Sequence, residues 1–218
     1  MMRTFIAAAL GAAFLVGATG CGGSSSSSPP PPSALLHPSS LSKTAPATFK
    51  AEFTTTQGAF VVTVKRSWAP LGADRFYNLV YNHFYDDQPL FRVLPGFVTQ
   101  WGISGTPAIA KAWQNATIKD DPVTHHNAQG TITFATGGPN TRTTQVFVNL
   151  VSNASQLDSM GFALFGTITS GLSVFANLYS GYGEGPSNSQ NLIVQKGADW
   201  IRTNYPKLDW VKTARIVH

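Results

Sequence analysis

Residues 48–218 predict a mainly β domain, a closed barrel or a sandwich. Three observations carry that reading. Short runs of β-branched and aromatic residues recur between Gly, Pro, Asn and Asp turns. No strand–helix–strand rhythm runs through them. The stretch has 171 residues, ample for one core, and shows no internal repeat.

Phe49-Lys50-Ala51-Glu52-Phe53-Thr54-Thr55-Thr56 alternates, Gln57-Gly58 turns, and Ala59-Phe60-Val61-Val62-Thr63-Val64 returns, the pattern of a hairpin. Pro70 suits the first turn of a helix. Leu71, Phe76, Leu79, Val80 and Phe84 fall near helical spacing over 70–84, which predicts one buried face. Asp86-Asp87 then turns the chain into Phe91-Arg92-Val93-Leu94-Pro95-Gly96-Phe97-Val98-Thr99-Gln100, a strand broken at Pro95-Gly96. The region 102–129 lacks periodicity and reads as surface loop. Thr131-Ile132-Thr133-Phe134 and Gln145-Val146-Phe147-Val148 are strands flanking the loop 137–140, and 161–168 is another strand region. A short helix over 171–179 carries Leu172, Phe175, Ala176 and Leu178. An added helix over 197–205 and a last strand within 211–217 complete the domain.

Charge is scarce. Only 11% of residues are charged, against roughly 25% in an ordinary domain. The formal net charge is +5, yet no basic run is longer than Lys65-Arg66, so the clustered stripe of a nucleic-acid binder is missing. The single cysteine, Cys21, rules out an intramolecular disulfide. Met1-Met2-Arg3 and the apolar run from Phe5 to Val16 have the shape of a signal peptide, too short for a confident membrane span. Ala18-Thr19-Gly20 before Cys21 resembles a bacterial lipobox, in which the cysteine is lipidated, although Ala18 stands where Leu is commoner. Residues 1–20 are thus expected to be removed, taking one cation, Arg3, and leaving +4. Ordinary secretory cleavage near the same place is the alternative. Residues 21–47 form a tether, of which Gly-Gly, five serines and four prolines over 22–32 cannot build a core. Leu35, Leu36 and Leu41 are candidates to pack on the domain.

Within the run 91–100, Arg92 and Gln100 are the strongly polar side chains among residues that otherwise read as core. A guanidinium among apolar neighbours is costly unless it serves as an anchor or meets a ligand. The run, beginning at Phe84-Tyr85-Asp86-Asp87, resembles the first signature of cyclophilin-type peptidyl-prolyl isomerases. The stretch 130–148, with Phe134-Ala135, Gly138-Pro139-Asn140-Thr141 and Gln145-Val146-Phe147-Val148, is similar to their second. Leu157-Asp158 followed by Phe165-Gly166 is similar to the third. The likeness covers 49–179 and implies an eight-stranded antiparallel β-barrel closed at each end by a helix, here 70–84 and 171–179.

The chemistry that the resemblance implies follows from the bond. An X-Pro amide crosses a barrier of ~18–20 kcal/mol because rotation breaks amide resonance. No bond to carbon is made, so neither nucleophile, metal nor cofactor is required. By resemblance, Arg92 donates to the pyramidal amide nitrogen, Gln100 binds the carbonyl that swings, and Phe97 belongs with them in the catalytic group. Phe97, Val98, Phe147, Leu157 and Phe162 would wall the proline pocket. Thr136 would pair its backbone with the peptide, with Ala135, Gly137 and Gln145 lining the groove. The sequence departs from the family pattern at Phe91, for a histidine; Thr136, for an asparagine; Gln156, for a tryptophan; and Phe162, for a histidine. The loss of the indole at 156 predicts weaker binding of cyclosporin. The expected partners are proline-containing polypeptides and, through Cys21, a membrane; the chain is expected to act as a monomer.

Rival readings have less behind them. His125-His126 lacks a third ligand and reads as solvated loop. Gly181-Tyr182-Gly183-Glu184-Gly185 lacks the strand and spacing of a phosphate loop and reads as a turn. Asp120-Asp121 and Asp86-Asp87 suit capping and turn roles. Trp200, Tyr205 and Trp210 read as packing for the added helix. A cyclophilin-shaped module that binds proline segments without turnover, and a solute-binding or structural surface lipoprotein, are the functional alternatives. Gly22 after the cysteine favours the outer membrane where the enterobacterial sorting rule applies.

Overall fold

The computed structural model describes residues 33–217. The proposed signal segment, Cys21 and most of the tether lie outside them. Nine antiparallel strands form one sheet: β1 Thr48–Thr55, β2 Gly58–Lys65, β3 Gln88–Pro89, β4 Arg92–Val93, β5 Val98–Trp101, β6 Thr131–Phe134, β7 Val146–Asn149, β8 Leu164–Ser170 and β9 Trp210–Val217. Their order is β3-β9-β1-β2-β8-β6-β7-β5-β4. The two outermost strands, β3 and β4, are separated in sequence by Leu90 and Phe91 alone, so the chain itself closes the curled sheet. That is one strand more than the eight expected; β3 and β4 have two residues each.

The predicted hairpin is β1–β2, with Thr55 opposite Gly58 and the Thr55 hydroxyl donating to the Gly58 carbonyl at 2.7 Å. Alternation puts Phe49, Ala51 and Phe53 inward from β1 and Phe60, Val62 and Val64 inward from β2. The interior is an aromatic stack: Phe53 and Phe60 lie parallel with centroids 5.0 Å apart, and Phe76, Tyr85, Trp101 and Phe165 pack around them. Offset and edge-on pairs of this kind add to the burial that already favours them.

Helix α1, Pro70–Tyr81, closes one end of the barrel with Ala73, Phe76, Leu79 and Val80. It stops short of Phe84, which is buried past the helix end. Leu71, expected on the inner face, is 44% exposed because it occupies the first turn. There its backbone N–H, not its side chain, points inward, donating to Asp121. At the other end, the predicted helix 171–179 is the 3₁₀ helix Leu172–Asn177. It buries Val174 and Phe175, while Leu172 is exposed and Leu178 follows the helix in extended backbone.

Two further helices depart from expectation. The region read as loop contains α2, Pro107–Trp113, which buries Ile109, Ala110 and Trp113. The added helix begins earlier than 197: α4 spans Gln190–Asn204 and is broken at Gly197, whose φ is +73°. A side chain at Gly197 would collide with the Gly105 carbonyl and lie 2.9 Å from Pro107 Cδ, so only glycine admits this approach of α4 to α2. Ile193 and Ile201 of α4 join Phe91, Ile103, Ala110 and Leu208 in a second apolar cluster, ringed by Tyr182, Trp200, Tyr205 and Trp210. Phe91, departing from the histidine of the pattern, is an anchor for this addition. The packed unit also reaches back before residue 48. Leu35 is buried, its carbonyl accepts from the Trp113 indole at 2.8 Å, and Leu41 packs on the core while Leu36 stays exposed.

Candidate active site

The site forms where the sheet closes. Arg92 of β4 stands opposite Gln100 of β5, and Gln100 stands opposite Phe147 of β7. Cross-strand neighbours share a face, so guanidinium, amide and phenyl ring line up across three strands. Helix α3, Ala154–Leu157, brings in Leu157. Val98, Phe147 and Leu157 are buried together in a third apolar cluster, covered by Phe97, Ala135 and Phe162. Phe162 meets Phe147 edge-on at 5.6 Å, and the Arg92 guanidinium carbon lies 5.5 Å over the Phe97 ring. The predicted pocket wall and the predicted cation are therefore one constellation.

A buried amide network holds the far wall. Asn153 donates to Asn149 Oδ1 at 2.8 Å and Asn149 donates to Thr131 Oγ1 at 2.9 Å. Asn127 donates through Nδ2 to Asp158 Oδ1 and to the Phe162 carbonyl, both at 2.8 Å. Sequence reading passed over these asparagines because nothing local distinguishes them from turn residues. Gln156 is exposed beside this wall. The Thr136 and Gly137 turn is tied to Thr141: the two threonine hydroxyls are 2.9 Å apart and the Gly137 N–H donates to Thr141 Oγ1 at 2.9 Å. This leaves the edge of the groove well defined next to Ala135, whose N–H bonds the Gln145 carbonyl.

The polar row is continuous. Arg92 Nη1 donates to Gln100 Oε1 at 3.2 Å, Gln100 Nε2 to Gln145 Oε1 at 2.8 Å, and Gln145 Nε2 to Gln190 Oε1 at 2.9 Å. At the other end, Glu184 takes Arg92 Nε at 2.8 Å and Nη2 at 2.6 Å in a bidentate pair. The hydrogen bond from Arg92 holds the Glu184 carboxyl below its ordinary pKa, against the pull of partial burial. Glu184 and Gln190 were missed. One lay in a glycine-rich stretch read as a turn, and the other opens a helix with no counterpart in the pattern.

The remaining candidates behave as surface or scaffold. His125 stacks on Trp68 at 4.3 Å and His126 bonds Asp158 at 2.8 Å. Among the described residues, no three His, Cys, Asp or Glu side chains gather as a cation site, and no helix is long and apolar enough to cross a membrane.

A curled antiparallel barrel carrying an arginine–glutamine row beside an apolar cluster defines a cyclophilin-like protein. The family described as "Cyclophilin type peptidyl-prolyl cis-trans isomerase/CLD" matches residues 50–197, and the chain belongs to it. It is 33% identical over 140 residues to a peptidyl-prolyl cis-trans isomerase of Acinetobacter baylyi, covering 62% of this chain and 73% of that one. It is 31% identical over 129 residues to the peptidyl-prolyl cis-trans isomerase ppi1 of Schizosaccharomyces pombe, covering 56% and 80%. The crystal structure of a cyclophilin type peptidyl-prolyl cis-trans isomerase from Cryptosporidium parvum superposes with a TM-score of 0.57 at 18% identity, over 78% of this chain and 98% of that one.

Proposed function

We propose that this protein accelerates X-Pro isomerisation in exported polypeptides, as a monomer held to the cell envelope by lipid on Cys21. The observation that carries the catalytic part is the placement of Arg92 over Phe97, beside the cluster of Val98, Phe147 and Leu157. A proline ring seated in that cluster sets its imide nitrogen within reach of the guanidinium. As the amide twists, its nitrogen becomes pyramidal and regains a lone pair, to which Arg92 donates. Gln100, with one N–H beyond its bond to Gln145, serves the swinging carbonyl. Thr136 pairs through its backbone with the extended peptide, and Ala135, Gly137 and Gln145 line its path.

A charged hydrogen bond of this kind contributes about 1.5–3 kcal/mol, roughly tenfold to a hundredfold in rate. Water exclusion and fixed orientation in the pocket supply the rest. The test is a peptide isomerisation assay of wild type beside Arg92→Ala. A drop of at least tenfold with the melting temperature unchanged is expected; a folded variant of undiminished activity sinks the mechanism. Binding without turnover has one observation in its favour, since Glu184 already occupies two Arg92 donors. Peptide affinity with no rate enhancement in the wild type would establish that reading instead.

The anchor rests on the lipobox-like Ala18-Thr19-Gly20-Cys21 and the Ser/Pro tether. Cys21→Ser should move the protein from the membrane fraction to the soluble one. Membrane association unchanged by that substitution would remove the lipid from the account. Gly22 supports placement at the outer membrane.

A further inference from the structure

The polar row of the site both begins and ends in the segment 184–190, which runs from the turn after the second barrel cap to the first residue of α4. Glu184 grips one edge of the Arg92 guanidinium, and Gln190 accepts from Gln145 at the opposite end. The carboxylate is itself held, because Ser187 Oγ donates to Glu184 Oε2 at 2.6 Å. The loop beneath is braced by aromatic packing: Tyr182 meets Tyr179 at 5.0 Å and Tyr205 at 5.1 Å, and the Tyr205 hydroxyl donates to the Gly185 carbonyl. Helix α4, on which the loop rests, is locked to α2 at Gly197.

We propose that Glu184 is a positioning residue of the isomerase site, with Gln190 completing the clamp from the other end. The inference rests on the isomerase reading given above. An arginine has five N–H donors. Glu184 takes two, through Nε and Nη2, and Gln100 takes one from Nη1. Two donors, one on each Nη, are left for a substrate. A free arginine would lose rotamer freedom on meeting the amide, and the fixed pair has already lost it; that freedom is worth up to ~30-fold in rate. The cost is partial neutralisation of the guanidinium. Glu184 is half exposed, so solvent weakens that field, while the geometric constraint remains.

The direction of the three amides follows from the same clamp. With Arg92 donating to Gln100 Oε1, Gln100 must present nitrogen to Gln145, and Gln145 must present nitrogen to Gln190. The order puts donor groups, not carbonyl oxygens, along the groove where a peptide carbonyl is to be bound. Arg92, which can only donate, sets that order from one end, and Gln190 accepts at the other.

The test uses the full chain and reads kcat and KM separately for a proline peptide, with the 15Nε–1H resonance of Arg92 as the structural signature. Glu184→Ala is expected to lower kcat about tenfold with KM and melting temperature little changed, and to broaden or remove the slowly exchanging Nε–H signal. Glu184→Gln, which keeps one acceptor, should restore part of both. Gln190→Ala should act in the same direction by a smaller factor. An unchanged or increased kcat in Glu184→Ala overturns the proposal, an increase meaning that the carboxylate is a brake. An unchanged Nε–H signal overturns it as well. Should the wild type itself show no isomerisation, the isomerase reading fails rather than this one.

Discussion

Asp121→Ala is the substitution whose cost can be worked most directly from the structure. Both its side chain and that of Arg142 are almost inaccessible, at 3% and 2% exposure. Asp121 accepts from the Leu71 N–H at 2.9 Å and the Gly72 N–H at 2.8 Å, which are open donors at the start of α1. It also accepts from Nη1 and Nη2 of Arg142, each at 3.1 Å. Removing it strands a buried guanidinium with the partly exposed Asp120 at 3.2 Å and the Lys119 carbonyl as its other partners. Breaking one side of a buried pair costs about 3–5 kcal/mol, and losing a helix cap about 1 kcal/mol. Taking ~4 kcal/mol for the overlapping effects, a domain of this size should melt about 10 °C lower. Differential scanning calorimetry measures it. The companion variant Asp121→Leu with Arg142→Met removes both charges and should lose much less than the two single changes combined. A shift below about 2 °C for Asp121→Ala would refute the reading that this buried pair anchors the start of α1.

Three other changes follow from the same contacts. Phe162→Ala opens the edge contact with Phe147, a pair worth about 1 kcal/mol; kcat/KM for a proline peptide should fall roughly fivefold, at little cost in melting temperature. Gln156→Trp restores an indole beside the pocket, and calorimetric titration should show tighter cyclosporin binding than in the wild type. Asp74 carries the pH dependence of the 33–47 strap. Burial pulls its pKa up, but hydrogen bonds from Arg66 and from the Ala45 N–H outweigh that and leave it lowered. A lowered folded value means the contact is intact above the unfolded pKa of about 3.9 and is lost as pH falls through the folded one. Between pH 6 and 3 the wild type should therefore lose up to ~1 kcal/mol, about 3 °C, that Asp74→Asn does not lose, with Trp113 fluorescence reporting release of Leu35.

What sequence reading reached was whatever local pattern or a short signature records. The alternation of 49–64 is the hairpin, and the run 91–100 folds on itself so that Arg92 stands opposite Gln100, which in turn stands opposite Phe147. Gly102 shows why the next segment was harder. At φ +116° it brings its backbone so close to Thr144 that a side chain would lie 2.5 Å from that carbonyl oxygen, a non-local constraint with no periodic trace. Helix α2 escaped because seven residues beginning at Pro107 are too few for a helical period to stand out. The packing of Leu35 depends on Trp113, and the grip of Glu184 depends on Arg92. Both pair residues far apart in sequence, 78 and 92 positions, which spacing cannot foresee. Leu71 satisfied the helical period and still faces solvent, since the period says nothing about which turn overhangs the barrel rim.

The strand order has a consequence for the timing of folding. β1 lies between β2, its neighbour in sequence, and β9, the last strand of the chain. As the chain is synthesised, the hairpin is complete early, yet one edge of β1 waits for β9, whose residues follow long after. Until then the N–H and C=O groups on that edge, from alternate residues between Lys50 and Thr55, are unpaired, an invitation to strand exchange with other chains. Long-range pairing of this kind also slows folding. A truncation before Trp210 would spare every residue of the polar row, yet leave a chain unable to finish its barrel.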